Sequence, residues 1–145
     1  MQLTYHTDYA LRLLIYMMGR PAGKVTTREV AEFYGISLNH LTKVAKALTK
    51  AGWLTTSRGL GGGLELSAHT PAASVGEIVR QTQNWALVEC FDFATNTCPI
   101  AGACGLKPIL HQAQQAFFKV LDGYKISDLA NVPGLVVPMA GKAPR

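Results

Sequence analysis

The chain contains no uninterrupted apolar run of about 18 residues, so no segment of it reads as a membrane-spanning helix. Asp8 and Arg12 break up the only N-terminal stretch that could serve as a secretory signal; none is read, and a cytoplasmic location is expected. Cysteine is scarce and odd in number, three in all, which argues against a disulfide framework. Charge is thin at 16% of residues, and the acidic side is the poorer one, with 9 Asp+Glu against 14 Lys+Arg. A length of 145 residues allows one domain with a small appendage and excludes a multidomain enzyme. The 48% of hydrophobic residues is enough for a core and excludes wholesale disorder.

What charge there is lies unevenly. Residues 1–70 hold eight basic and four acidic side chains, a net of +4, whereas residues 71–145 hold six and five, a net of +1. A polyanionic partner would therefore meet the N-terminal half. Ordinary solubility is the alternative reading of the same excess.

Helical signals open the chain. Tyr9, Ala10, Leu13, Leu14, Met17 and Met18 recur at helical spacing, which predicts a first helix from about residue 5 or 8 to 18, stopped at Gly19-Arg20-Pro21. Thr26-x-x-Glu29 is a capping-box pattern for a second helix that ends at Gly35. Ser37 follows at once as N-cap of a third, 38–51, closed by Gly52. Two helices joined by so short a glycine turn form a helix-turn-helix unit.

In the third helix Leu41, Val44, Ala45 and Leu48 make one apolar stripe, leaving Asn39, His40, Thr42, Lys43, Lys46 and Lys50 elsewhere on the cylinder. Amide and ammonium groups on an exposed helix suit the major groove; a solvated polar face is the alternative. The next residues favour DNA. Residues 53–57 read as a strand and 64–66 as its return, with Arg58-Gly59-Leu60-Gly61-Gly62-Gly63 as the tip. A hairpin after a helix-turn-helix is a wing. Its glycines allow close backbone approach, and Arg58 is placed for phosphate or the minor groove. A nucleotide loop is disfavoured because no Lys-Ser/Thr follows the glycines and the next element is a strand.

The second half carries another capping box, Ser74-x-x-Glu77, and a short helix over 75–83. Residues 84–105 lose helical periodicity and contain all three cysteines. A long helix resumes at Leu106-Lys107-Pro108, with Ile109, Leu110, Ala113, Ala116, Phe117, Val120 and Leu121 as one apolar stripe. That stripe exceeds what a small winged domain covers; a second copy of the chain would bury it, or it packs back on the first helix. Ser127-Asp128-Leu129 starts one more turn, and the prolines and glycines beyond residue 131 predict a frayed tail. The expected fold is thus mainly α: a winged helix-turn-helix with a two-stranded wing (1–70), a cysteine loop and long C-terminal dimerisation helix (71–130), and a flexible tail (131–145).

Cys90, Cys98 and Cys104 are separated by seven and five residues, in a loop with few positive charges and several apolar neighbours. Three thiols there suit a soft-metal site more than an exposed reactive thiol. Free core cysteines are the alternative, and zinc would need a fourth ligand. With three thiolates on iron, a weaker fourth ligand would leave a cluster open to small oxidants or diatomics. Asp8, Glu89, Asp92 and His111 are the candidates; Asp8 also stands four residues before Arg12, the spacing of a surface ion pair. No nucleophile–base pair or phosphate loop points to an enzyme.

The segments Met1-Gln2-Leu3-Thr4, Thr7-Asp8-Tyr9-Ala10-Leu11-Arg12, Gly35-Ile36-Ser37-x-Asn39-His40-Leu41-x-Lys43, Arg58-Gly59-x-x-Gly62-Gly63, Cys98-Pro99-Ile100, Cys104-Gly105-Leu106-Lys107 and Leu121-Asp122-Gly123-Tyr124, with Cys90, resemble the Rrf-type winged-helix repressors. Within that family the pattern is most similar to the nitric-oxide-sensitive members. The resemblance implies a homodimer and an iron–sulfur cluster, [2Fe–2S] or [4Fe–4S], on Cys90, Cys98 and Cys104, with Asp8 of the other subunit as fourth ligand. It implies nitric oxide as effector, with release from DNA when the cluster is nitrosylated. Asp8 and Arg12 would then pair and shift the first helix. The expected target is a roughly palindromic double-stranded operator, with Asn39, His40 and Lys43 near base edges. Arg28, Lys46, Lys50 and Arg58 would lie near phosphate or the minor groove, and Ser37, Gly61 and Gly62 complete the DNA-binding set. The cluster-supply-sensing branch of the family carries a histidine three positions after its last cysteine; Lys107 stands there, which ranks that function lower. A thiol or zinc redox switch on the same scaffold, and an iron–sulfur electron carrier or enzyme with no DNA role, are the other readings.

Overall fold

The computed structural model describes residues 2–20, 23–57, 59, 61–135 and 137. Among them lie five α-helices and one two-stranded sheet. Helix α1 (Tyr5–Met18) starts at Thr4, whose hydroxyl accepts the Thr7 N–H, and α2 (Thr27–Tyr34) starts at a complete capping box between Thr26 and Glu29. Gly35 ends α2 with φ at 64°, a left-handed conformation that glycine adopts without a Cβ clash. Helix α3 (Leu38–Lys50) follows after two more residues, so the expected helix-turn-helix is present.

Strand β1 (Leu54–Ser57) pairs antiparallel with β2 (Gly63–Leu66) in the register Leu54–Leu66 to Ser57–Gly63. The strand begins one residue later than the sequence predicts. Trp53 instead donates its backbone N–H to the Leu48 carbonyl at 2.9 Å, closing off α3, and its indole is buried. Val25 adds a single bridge to Leu64, with hydrogen bonds of 3.0 and 2.7 Å. Gly63 is needed for that approach, since a Cβ there would stand 3.0 Å from the Val25 carbonyl oxygen.

Helix α4 (Val75–Thr82) starts at the second capping box, between Ser74 and Glu77, and α5 (Leu106–Asp122) is the long C-terminal helix. Between them a 3-10 turn, Glu89–Phe91, is the one helical element. A last 3-10 turn, Ile126–Leu129, buries Ile126 against α1. Helix α1 is the hub: Ala10, Leu13, Leu14 and Met17 are buried, and it packs on both α3 and α4. Burying Leu-sized side chains contributes about 1.5–3 kcal/mol each, which is why the hub holds.

Two expectations change. Helix α5 packs chiefly on α4 rather than on α1. Its inward residues are Gln114 and Phe118, with Leu110, Phe117 and Leu121 half-buried, so the predicted apolar stripe divides: Ile109, Ala113, Ala116 and Val120 face outward. Val137, in the segment read as a frayed tail, is buried and packs where Gly19 lacks a side chain. Residues 136 and 138–145 of that segment lie outside the described residues.

Candidate functional site

The exposed surface of α3 is set by what its other side buries. Leu41, Val44, Ala45 and Leu48 face the core. Asn39, Lys43, Lys46 and Lys50 then fall at i, i+4, i+7 and i+11 on the opposite side, all exposed. His40 is exposed on the flank, one residue round from Asn39. Ser37 occupies the N-cap position but its hydroxyl makes no capping bond, contrary to the sequence expectation; its backbone carbonyl holds the Leu41 N–H instead. Arg28 is exposed in the first turn of α2. Among the described residues the ion pairs are Asp8–Arg12, Arg20–Glu29 and Arg80–Asp122, and Arg28, Lys43, Lys46 and Lys50 are in none of them.

Beside this stripe lies a groove of about 460 Å³ between α3 and the wing. It is lined by Lys46 and Lys50, by the threonines 27, 42, 49 and 56, and by Ala45 and Leu64. Thr42 and Thr49 donate their hydroxyls to the Leu38 and Ala45 carbonyls, at 2.7 and 2.8 Å. At the wing tip Gly59 and Gly61 have φ of 95° and 79°, so the tip is a turn that side-chain-bearing residues adopt only with strain. Gly61 is exposed and Gly62 half-buried. Arg58, the expected wing cation, lies outside the described residues.

The second feature is the cysteine segment. Cys90 is buried in the 3-10 turn; Cys98 and Cys104 are half-buried. All three line one cavity of about 260 Å³, together with Val88, Glu89, Ile100, Leu106, Lys107 and Leu110. Short local bonds shape the loop: Asn96 Oδ1 accepts the Cys98 N–H at 3.1 Å, and the Cys98 carbonyl accepts the Ala101 N–H at 3.2 Å. Glu89 Oε1 accepts both the backbone N–H and the hydroxyl of Thr97. These bonds, the hydroxyl first, hold the exposed Glu89 carboxyl below its ordinary range. They also tie the residue before Cys90 to the residue before Cys98.

Among the described residues no three His, Cys, Asp or Glu side chains converge closely enough to hold one metal ion. The thiols rim a cavity several times the roughly 30 Å³ of a water molecule. Three soft sulfur donors on one largely apolar cavity fit an iron–sulfur cluster, which Cys90, Cys98 and Cys104 would hold, better than a single tetrahedral ion. Of the fourth-ligand candidates only Glu89 lines this cavity in its own chain. Asp92 caps Ala94 at 3.0 Å, and His111 lies against the Phe91 ring in a neighbouring groove. Asp8 sits on α1 in a two-bond pair with Arg12, at 3.1 and 2.9 Å. Arg12 in turn lies 5.8 Å from the centre of the Tyr34 ring at the end of α2.

A family model described as "Rrf2: Iron-dependent Transcriptional regulator" matches residues 3–132. The chain belongs to the Rrf2 family. It is a transcriptional regulator rather than an enzyme. It is 47% identical over 131 residues to the HTH-type transcriptional regulator NsrR of Shouchella clausii, covering 89% of this chain and 88% of that one. To the regulator of the same name from Bacillus subtilis it is 43% identical, covering 89% and 90%. Among solved structures, the oxidized form of Staphylococcus aureus CymR superposes with a TM-score of 0.72 at 23% identity over 93% of this chain and 100% of that one. T. potens IscR gives 0.67 at 23% identity over 89% and 85%. These last two support the winged-helix fold.

As an Rrf2 chain it brings together what the sequence lists separately: an exposed cationic stripe on α3, and three cysteines on one cavity. Sequence reasoning missed Thr27, Thr49 and Thr56 of the α3–wing groove, the Glu89–Thr97 tie and the role of Gln83, described below. Thr27 and Thr56 stand on different elements that only the fold brings to one groove, and no local pattern marks them.

Proposed function

We propose that this chain is a dimeric transcriptional repressor whose operator binding depends on an iron–sulfur cluster held by Cys90, Cys98 and Cys104, and whose effector is nitric oxide. The observation that carries this reading is the meeting of three thiols, spread over residues 90–104, on one largely apolar cavity at the base of α5. Similarity to NsrR regulators over most of the chain supports the effector assignment. A cluster held by Cys90, Cys98 and Cys104 would supply iron to which nitric oxide could bind.

The remaining steps belong to the chain. The N-terminal part of α3 enters the major groove, with Asn39, His40 and Lys43 near base edges. The sugar–phosphate backbone runs along the α3–wing groove, where Lys46 and Lys50 neutralise it and Thr27 and Thr56 offer hydroxyls. Arg28 and Ser37 flank it, and Gly61 and Gly62 approach the minor groove from the wing, whose Arg58 is assigned from sequence to phosphate or the minor groove. The outward stripe of α5, Ile109, Ala113, Ala116 and Val120, pairs with the same stripe of a second copy; its alanines let two helices approach closely. Asp8 of one subunit completes the site of the other. When that contact is lost Asp8 is held by Arg12, the pairing present in the single chain. A DNA partner supports a cytoplasmic location; no helix among the described residues is long and apolar enough to cross a membrane.

The test is to purify the chain without oxygen and measure iron, acid-labile sulfide and the visible spectrum, then to retard promoter DNA before and after adding nitric oxide. A brown protein that retards DNA and releases it with loss of colour supports the reading. A coloured protein indifferent to nitric oxide points to cluster-supply sensing, and a colourless one that binds DNA points to a thiol or zinc switch.

A further inference from the structure

Three elements are tied together where the chain leaves α4 for the cysteine segment. Gln83 is the C-cap of α4. Its Oε1 accepts two hydrogen bonds from the start of α1: the Thr4 N–H at 2.8 Å and the Thr7 hydroxyl at 2.9 Å. Thr4 and Thr7 are bonded to each other as well, hydroxyl to hydroxyl at 3.0 Å and Thr7 N–H to Thr4 hydroxyl at 3.2 Å. Thr7 is fully buried. Two residues further on, the Trp85 indole N–H donates to the Val79 carbonyl at 2.9 Å, its own carbonyl accepts from the Gln114 side chain, and its ring packs on Phe117 and Phe118. The root of the segment that carries Cys90 is thereby fixed to α4 and α5, and Gln83 extends it to the first turn of α1.

We propose that Gln83 is a positioning residue that passes the state of the cysteine segment to α1, and through α1 to the recognition helix α3, within one subunit. The proposal rests on the reading of the cysteines as cluster ligands and adds a route that does not pass through Asp8. The physical reason is the buried hydroxyl. If residues 83–85 shift when the loop rearranges, either the first turn of α1 follows Gln83, or the Thr4 N–H and the buried Thr7 hydroxyl both lose their shared acceptor and Thr7 keeps only the Thr4 hydroxyl, which is unfavourable. Helix α1 transmits what it receives because Leu13, Leu14 and Met17 are close-packed in the core it shares with α3.

The experiment uses full-length chain, cluster-loaded and then stripped by a chelator, and a duplex selected by the loaded wild type. Two quantities are read: the ratio of operator affinities in the two states, and amide exchange over residues 5–9. Gln83→Leu removes the acceptor at similar size; Gln83→Glu keeps an oxygen acceptor in place. The wild type and Gln83→Glu should show an affinity ratio of about tenfold or more and a change of exchange in α1 on stripping. Gln83→Leu should load with the wild-type spectrum and iron content, exchange quickly over residues 5–9 in both states, and give a ratio of only about two- to threefold. If Gln83→Leu does not fold, Thr7→Val, which deletes the donor at constant shape, is read the same way. A Gln83→Leu or Thr7→Val chain that keeps the full ratio and the exchange change overturns the proposal alone, as does a Gln83→Glu chain that loses them. A wild type that takes up no iron overturns the cluster reading and the proposal with it.

Discussion

Arg80 and Asp122 join α4 to α5 through two parallel charge-assisted hydrogen bonds, 2.7 Å from Nη1 to Oδ1 and 2.6 Å from Nη2 to Oδ2. The guanidinium also lies 4.3 Å from the centre of the Phe118 ring, the one aromatic that α5 buries. Gly76 makes room, because a Cβ there would overlap the Asp122 carboxylate. The hydrogen bond from Arg80 holds the Asp122 carboxyl below its ordinary range.

That depression fixes a sign. Asp122 is ionised in the folded chain at pH values where the unfolded carboxyl, at about 3.9, begins to protonate. Its contribution to stability is present above the unfolded value and is lost as pH falls through the lower folded one. Both side chains are 41% exposed, so solvent screening keeps the pair to at most about 1 kcal/mol. Asp122→Asn should lower the melting temperature slightly at neutral pH and not at strongly acid pH. Gly76→Ala should do more harm than Asp122→Asn, since it displaces the carboxylate and crowds the α4–α5 contact. Thermal melts of both variants across pH check this.

Ala113→Glu puts a charge in the middle of the outward stripe of α5, where Ile109 is 61% and Val120 62% exposed in the single chain. The variant should sediment as a monomer while keeping its far-ultraviolet spectrum. A variant that stays dimeric places the two-fold contact elsewhere.

Lys43→Ala, Lys46→Ala and Lys50→Ala should each weaken operator binding. A phosphate contact at Lys46 or Lys50 should reduce the slope of log affinity against log salt by about 1, uniformly across sequences. Asn39→Ala should instead cost about 1–3 kcal/mol of discrimination at one base position with the slope unchanged. Titrations at several salt concentrations against the selected duplex and its single-base variants separate the two behaviours.

Glu89→Ala deletes the acceptor shared by the Thr97 N–H and hydroxyl. Amide exchange at Thr97 and Cys98 should quicken in chain prepared without iron, and the iron retained after anaerobic reconstitution should fall. Cys98→Ser should lose the visible spectrum altogether while the melting temperature of the metal-free chain changes little.

Asp8→Asn breaks a pair whose side chains are 36% and 43% exposed, worth about 0.3–0.5 kcal/mol as an i,i+4 contact. The stability of the metal-free chain should scarcely change. Slower or faster loss of colour with nitric oxide in this variant would report Asp8 at the partner's cluster, and unchanged kinetics would remove it from the ligand set.

The short-range features were legible in the residues themselves. Thr26 with Glu29 and Ser74 with Glu77 form the capping boxes that their spacing implies, and Gly35 turns left-handed where α2 stops. These signals act between neighbours three or four positions apart, so any chain with that pattern meets the same local physics. The α3 stripe was legible for the same reason, as 3.6-residue periodicity sorts Leu41 and Lys43 onto opposite sides before anything packs. Ser37 shows the limit: its position was right, but its hydroxyl does not cap. What only the tertiary structure decided depends on distances between elements. Which side of α5 turns inward was settled by α4, whose Arg80 and the nearby Trp85 select Phe118 and Gln114 over Ile109 and Val120. Gln83 finds its partners 76 and 79 residues away, and the three thiols find a common cavity only after α4 and α5 fix the ends of the loop between them. No periodicity in the chain encodes such meetings, because they arise from close packing of whole elements rather than from the preference of any one residue.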